Sequence, residues 1–356
     1  MEFTGLLDAL GDPGFAALLG LLTGLVFGVS AEQSKFCLRA AAVEVARAHA
    51  GPRFAMWLLA FSTALLWTQG MDVAGIIDLG ESRWLASPGT LSGAMIGGAV
   101  FGVGMVLSRG CPGRLLVLGA TGNLRAILSG LVFAVVAQMS LHGALSPLRE
   151  ALSGAWITSG PNPNLLELYH LPDATGIVIA LVFAVAALVV SRRNRVALRT
   201  VLFGCGVGFA VATGWFLTYT ISRLSFDPVP VGSLTFSGPS ADTLMYLLSS
   251  ETGLEFDIGL VPGVFIAAFL SAAVSRRLVW QGWDNVTAMQ RYIAGAALMG
   301  FGAMTAGGCT IGAGVTGGST FALSAWAALF SMWVSGMIAD RLIDQKTEAT
   351  ARRSTI

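Results

Sequence analysis

Charge is scarce in this chain. Only 12% of its 356 residues are Asp, Glu, Lys or Arg, about half the roughly 25% of ordinary soluble domains, which argues against a protein surrounded by water. Histidine is scarcer still, with His49, His142 and His170 at no metal-binding spacing, and the four cysteines, at 37, 111, 205 and 309, form no CxxC pair. A structural zinc or haem site is therefore not expected, nor any cofactor. There is no P-loop, no nucleotide-binding glycine motif and no long basic run, so transport driven by ATP hydrolysis in this chain and nucleic-acid binding are set aside. The first twenty residues carry Glu2, Asp8 and Asp12 but no Lys or Arg. They lack the positive start of a cleaved signal peptide, and the first helix is expected to remain.

Apolar residues, by contrast, abound: 54% of the chain is hydrophobic and the mean hydropathy is +0.73. The apolar runs are helix-length and lack the alternation of barrel strands, which predicts an all-α integral membrane protein. Nine spans are expected, near 14–30, 54–75, 89–108, 122–143, 174–191, 198–221, 258–275, 292–308 and 321–340. Glycine, at 45 residues, recurs inside them, where it lets helices approach closely.

Alternating the spans across a bilayer sorts the 21 Lys and Arg residues eighteen to three, with Arg83, Arg149 and Arg223 on the sparse side. The positive-inside rule then puts the N-terminus outside and the C-terminus, with Lys346, Arg352 and Arg353, in the cytoplasm of an inner-membrane protein. The longest outer connections, 145–173 and 223–257, carry loop chemistry such as Gly160-Pro-Asn-Pro-Asn164 and Asp227-Pro-Val-Pro230, with an amphipathic helix expected near 242–250. About fourteen acids accompany the three outer arginines, so counting alone gives no basic funnel for an anion.

The chain reads as a single membrane domain over 1–356 with an internal duplication. GGAVFGVGMVLSRGCPGRLLVLGATGN (97–123) has a counterpart in AGAALMGFGAMTAGGCTIGAGVTGGS (294–319), and GLVFGVSAEQSKFC (24–37) pairs loosely with GCGVGFAVATGWFL (204–217), where the cysteine is missing. The span count makes 14–143 a first repeat, 174–191 a linking span and 198–340 an inverted second repeat. Inverted repeats with broken helices are the plan of secondary transporters, whose sites lie near the midplane at the repeat interface. If both breaks fold back as re-entrant segments, helix ends from opposite leaflets meet there, where irregular backbone survives only by lining a cavity.

Cys111 is followed by Pro112, which suits a first helical position and puts the thiol at a helix N-terminus, among unpaired amides that attract anions. A small buried hydrophobe is the plainer reading. Cys37 opens CLRAAAVEVARAHA, read either as a short re-entrant helix or as an interfacial helix with a solvated basic face. Cys205, in Gly204-Cys-Gly206, has no neighbouring charge or proline and is expected to pack as a hydrophobe.

The elements SKFCLRAA, GMVLSRGCPGRLL and TAGGCTIGAGVTGGS resemble the cysteine motifs of the YeeE/YedE sulfur-transport family, in the same order and wide separation. The resemblance spans nearly the whole chain. It implies a nine-span, hourglass-like inner-membrane fold plugged by short cysteine-bearing helices, uptake of thiosulfate or a related sulfur anion, and relay roles for Cys37, Cys111 and Cys309. Gly110, Pro112, Gly113, Gly308, Thr310 and Gly312 would support them. Protonated thiols, weak donors, would hand the dianion along with backbone amides, Cys111 being central. A cytoplasmic sulfur-carrier protein is the partner the resemblance implies, and basic inner loops offer it a surface. The CPGRLL form differs from the proline-free motif of the thiosulfate branch and looks closer to members linked with selenium or other sulfur species. Two further readings stay open: a membrane sulfurtransferase forming a Cys111 persulfide, and a carrier of an unrelated solute with structural cysteines.

Overall fold

The computed structural model describes residues 2–172, 174–225, 229–249, 253–282 and 286–345, with side chains from residue 10 onward. The helices, in chain order, are α1 (Glu2–Ser34), α2 (Leu38–Ala46), α3 (Pro52–Val73), α4 (Arg83–Ala86), α5 (Leu91–Leu107), α6 (Pro112–Ala120), α7 (Leu124–His142), α8 (Ser146–Gly154), α9 (Leu165–Leu168), α10 (Thr175–Arg193), α11 (Leu198–Leu224), α12 (Gly238–Leu248), α13 (Phe256–Val274), α14 (Val286–Thr305) and α15 (Leu323–Ala339). A tight turn over Gly312–Gly317 stands between the last two. This is an all-α integral membrane protein: among the described residues, eight helical stretches are long and apolar enough to cross a membrane. The ninth expected span lies in α14, which is 20 residues long, or roughly 30 Å. Gln290 and Arg291 near its start dilute its hydropathy, yet it packs between α5 and α7.

The connections 145–173 and 223–257 hold more structure than their composition suggests. Within 145–173 lie α8, α9 and a strand β2 (Ile157–Pro161), which pairs antiparallel with β1 (Pro88–Thr90). The amphipathic helix expected near 242–250 is α12, beginning at Gly238; Ser250, like Asp173, Asp227 and the tail's Lys346, Arg352 and Arg353, lies outside the described residues. Before α12, residues 231–237 have no regular structure, but Leu234 and Phe236 are fully buried. That segment dips into the protein instead of crossing its surface.

Glycines set the tightest seam. Gly20, Gly24 and Gly28 fall at i, i+4 and i+8 on one face of α1, against Gly259 and Gly263 of α13. A methyl on Gly259 would come within 1.8 Å of the Ala17 carbonyl oxygen, so α1 and α13 touch backbone to backbone, as small-residue helix pairs in membranes do. Gly259→Ala is expected to destabilise the fold by roughly 1–3 kcal/mol through overpacking. Graded unfolding in detergent measures it, and an unchanged unfolding midpoint would contradict the seam.

Candidate functional site

The three cysteines of the sequence motifs share one local construction. A long helix ends, a residue two before the cysteine takes the left-handed conformation, and a new helix or turn starts just after the thiol. The left-handed residues are Lys35 (φ 54°), Arg109 (φ 55°) and Gly307 (φ 78°). Cys37 is then the N-cap of α2, and Cys111 the N-cap of α6 with Pro112 at its first position. Gly110 donates its amide back to the Met105 carbonyl, closing the end of α5. After Cys309 the chain makes no α-helix but the tight turn over Gly312–Gly317.

This construction turns amides toward sulfur. Cys309 Sγ accepts the amide of Gly312 at 3.5 Å, three residues on, and that of Phe236 at 3.4 Å. The same i+3 relation sets the amides of Ala40 and Arg114 beside the thiols of Cys37 and Cys111, without a capping bond. Each thiol thus faces the positive end of a short helix or turn.

The cysteines come from distant parts of the chain and gather in one buried cluster. Cys111 and Cys309 are fully buried and Cys37 is 7% exposed. The thiols of Cys37 and Cys111 touch, and Thr310 lies against Cys111. Thr310 Oγ1 is buried with no hydrogen-bond partner. Ile311 and the Phe236 ring pack against Gly113, two residues after Cys111: a methyl there would lie 2.8 Å from Ile311 Cδ1 and 3.1 Å from that ring. Gly312 is equally confined, since its methyl would fall 2.2 Å from Thr235 Oγ1. Gly308 abuts the Ala313 amide. Cys205 stands apart, part-buried against the core from α11, its flanking glycines facing Ser30, Met56 and Leu59.

Polar cavities adjoin the cluster on two sides. One, of about 370 Å³, is lined by Asp12, Arg83, Thr218, Thr235, Glu255 and Asp257. Thr235 Oγ1 is 4.0 Å from Cys309 Sγ and 3.0 Å from Ser237 Oγ. A second cavity of about 290 Å³ shares Arg83 and reaches Gly307, whose carbonyl accepts from Arg83 at 3.3 Å. Burial, with Glu255 nearby, holds the Asp242 carboxyl of α12 above the usual carboxylate range. The cavity on the other side, of about 290 Å³, is lined by Glu32, Lys35, Arg114 and Arg277. Among the described residues no group of His, Cys, Asp and Glu could hold a metal ion.

Sequence reading placed Cys37, Cys111 and Cys309 at helix starts or breaks, and that is where they lie. It missed Thr235, Phe236 and Ser237, which were counted in an outer loop. A signal was present: Phe236-Ser237 before α12 repeats Phe36-Cys37 before α2. The stretch 204–217, paired above with 24–37, instead lies inside the unbroken α11.

A family model described as Sulphur transport matches residues 33–338. Thiosulfate transporter TsuA of Escherichia coli (strain K12) is 23% identical over 361 residues, covering 95% of this chain and 97% of that protein. Thiosulfate transporter TsuA of Spirochaeta thermophila (strain ATCC 700085 / DSM 6578 / Z-1203) is 27% identical over 331 residues, covering 87% and 93%.

Proposed function

This chain belongs to the sulphur transport family, and from that premise we propose that it takes up thiosulfate or a related small sulfur-containing anion across an inner membrane, past Cys309, Cys111 and Cys37 in turn. The observation that carries this reading is the cluster itself: three thiols from separated segments, each at a helix or turn start, between two sets of polar cavities. Thiosulfate brings two negative charges and a terminal sulfur that accepts hydrogen bonds. Inside a bilayer its charge must be met by donors. Here the donors are S–H groups, that of Cys309 backed by the amides of Phe236 and Gly312 on its sulfur, each weak enough to let the ion move on. Phe236 and Ile311, packed against Gly113 beside Cys111, would form the constriction of that route.

Packing supports two inverted repeats over 14–143 and 198–340 joined by the 174–191 span. α1 packs on α13 as α11 does on α3, α5 on α15 as α14 on α7, and α2 on α15 as α12 on α7. Matched contacts of this kind are what a two-fold relation between halves produces. In that scheme the short cysteine-led helices are re-entrant, and Ser237 is the counterpart of Cys37.

The charge distribution favours an outward N-terminus, a cytoplasmic C-terminus and entry from the Arg83 side. Basic inner loops such as Arg276-Arg277 would receive an acidic sulfur-carrier protein. Uptake of radiolabelled thiosulfate by the purified chain in liposomes tests the whole reading, with a selenium analogue as competitor. A substrate-dependent persulfide on Cys111 would move the case to sulfur transfer.

Arg83 lines both outer cavities, beside Asp12, Glu255 and Asp257 in the larger and with no acid in the lining of the smaller, so it supplies a local cation that overall counting lacked. Arg83→Gln is expected to raise KM for uptake about fivefold at low salt, with kcat little changed and the effect fading as salt screens it. A KM equal to wild type at low ionic strength would remove Arg83 from the entry route.

A further inference from the structure

Arg114 lies on α6 three residues after Cys111, so the helix that presents the thiol also presents this guanidinium, toward the cavity beyond Cys37. Cys37, Cys111, Glu32 and Arg53 form its charged and polarisable surroundings. None of them bonds it: among the described residues no hydrogen bond, ion pair or ring contact engages the Arg114 guanidinium. The one carboxylate lining the cavity, Glu32, is taken by Arg277 at 3.4 Å and by the Ser271 hydroxyl at 2.8 Å. The lining therefore sets Lys35, Arg114 and Arg277 against Glu32 alone. Gln281 adds an amide whose oxygen is used by Asn123 at 2.6 Å, which leaves its NH₂ to donate.

A part-buried guanidinium facing a cavity with no protein acceptor is a ready partner for the oxygens of an anion. We propose that this cavity is a second, thiol-free anion site in which the Arg114 fork grips two oxygens of a sulfur oxyanion, with Lys35 and Gln281 completing the shell. Its role as the landing point after the cysteines rests on the transport reading; its existence as an anion site does not. The two sites divide the labour by chemistry. The thiols contact a terminal sulfur, whereas a guanidinium recognises paired oxygens, so sulfate, which has no terminal sulfur, still binds the Arg114 site.

The test uses the full chain in detergent and in liposomes, in an Arg83→Gln background that removes the outer cation. Sulfate binding is read by calorimetry, and thiosulfate uptake in parallel. Arg114→Gln is expected to weaken sulfate binding about tenfold, Arg114→Lys by only about threefold, and Cys111→Ser hardly at all. In uptake, Arg114→Gln is expected to lower the maximal rate about tenfold while KM from outside moves less than about twofold, since the site acts after the constriction. Sulfate binding unchanged in Arg114→Gln overturns the proposal. If Arg114→Gln does not fold, Lys35→Gln takes its place, with an expected threefold loss of sulfate affinity, and its binding sulfate like wild type overturns the proposal too. Should the wild-type chain move no thiosulfate while the Arg83→Gln background loses sulfate binding on Arg114→Gln, the transport reading fails and the anion site stands.

Discussion

Replacing Cys111 by serine is expected to cut thiosulfate uptake by roughly 10- to 100-fold while leaving the protein as stable as before, or slightly more so. Both halves follow from its place at the N-cap of α6. A serine hydroxyl is a strong N-cap acceptor, and the Arg114 amide three residues on is within its turn. The hydroxyl would also find Thr310 Oγ1, which is buried and unpartnered. A serine thus satisfies its own helix, whereas the softer, longer thiol caps poorly and keeps its proton for a passing ion. Stability would rise by up to about 1 kcal/mol. Lost uptake together with retained or raised thermal stability separates a transport role from misfolding, and uptake by Cys111→Ser within about twofold of wild type would sink the relay.

The same reasoning ranks the other cysteines. At Cys309 the sulfur already accepts two amides, so serine tightens that contact and the loss should match Cys111. Cys37 is the most exposed of the three, at 7%, and a smaller loss is expected there. Cys205→Ser should transport normally, because α11 presents that thiol to core packing and not to the cluster.

How far the site was legible before the fold depends on the kind of signal each residue left. Cys111 was legible because Pro112 fixes a helix start locally, and eight of the nine expected spans because burial in lipid needs continuous apolar length. Thr235, Phe236 and Ser237 were not. Their setting, VPVGSLTFSGPS, has the proline, glycine and serine of a surface loop, and such composition cannot tell a loop that leaves the membrane from one that folds back into it. Arg114 was counted as a cytoplasmic charge, which its sequence neighbourhood permits. Only the orientation of α6 turns it from solvent to an interior cavity. Strand β2 was hidden because its partner β1 is three residues long and some seventy residues distant, and such pairing has no local period.

Asp344→Asn is expected to be the most destabilising single change outside the glycine seams, costing about 3 kcal/mol. The carboxylate is buried, with a side-chain exposure of 8%, and bonds Arg39 at 2.9 Å and also Arg291. Arg39 belongs to α2 and Arg291 to α14, so one acid ties two helices to the end of α15. Asp340 reinforces it through Arg47 at 3.3 Å, and Arg341 donates to the Ala46 carbonyl at 3.1 Å. An amide would leave two part-buried guanidiniums sharing a neutral acceptor. The exposed Arg223–Glu81 pair, at 2.8 Å, is shorter than the Arg47 contact yet contributes little, because water screens it and its rupture strands no buried charge. Since α2 begins at Cys37, the loss reaches the site: uptake by Asp344→Asn should fall even at temperatures where the protein remains folded, whereas Glu81→Gln should leave it unchanged. Equal melting temperatures for Asp344→Asn and wild type would show that α2 is held by its apolar face alone, through Leu38, Ala41 and Ala42, and not by this charged clamp.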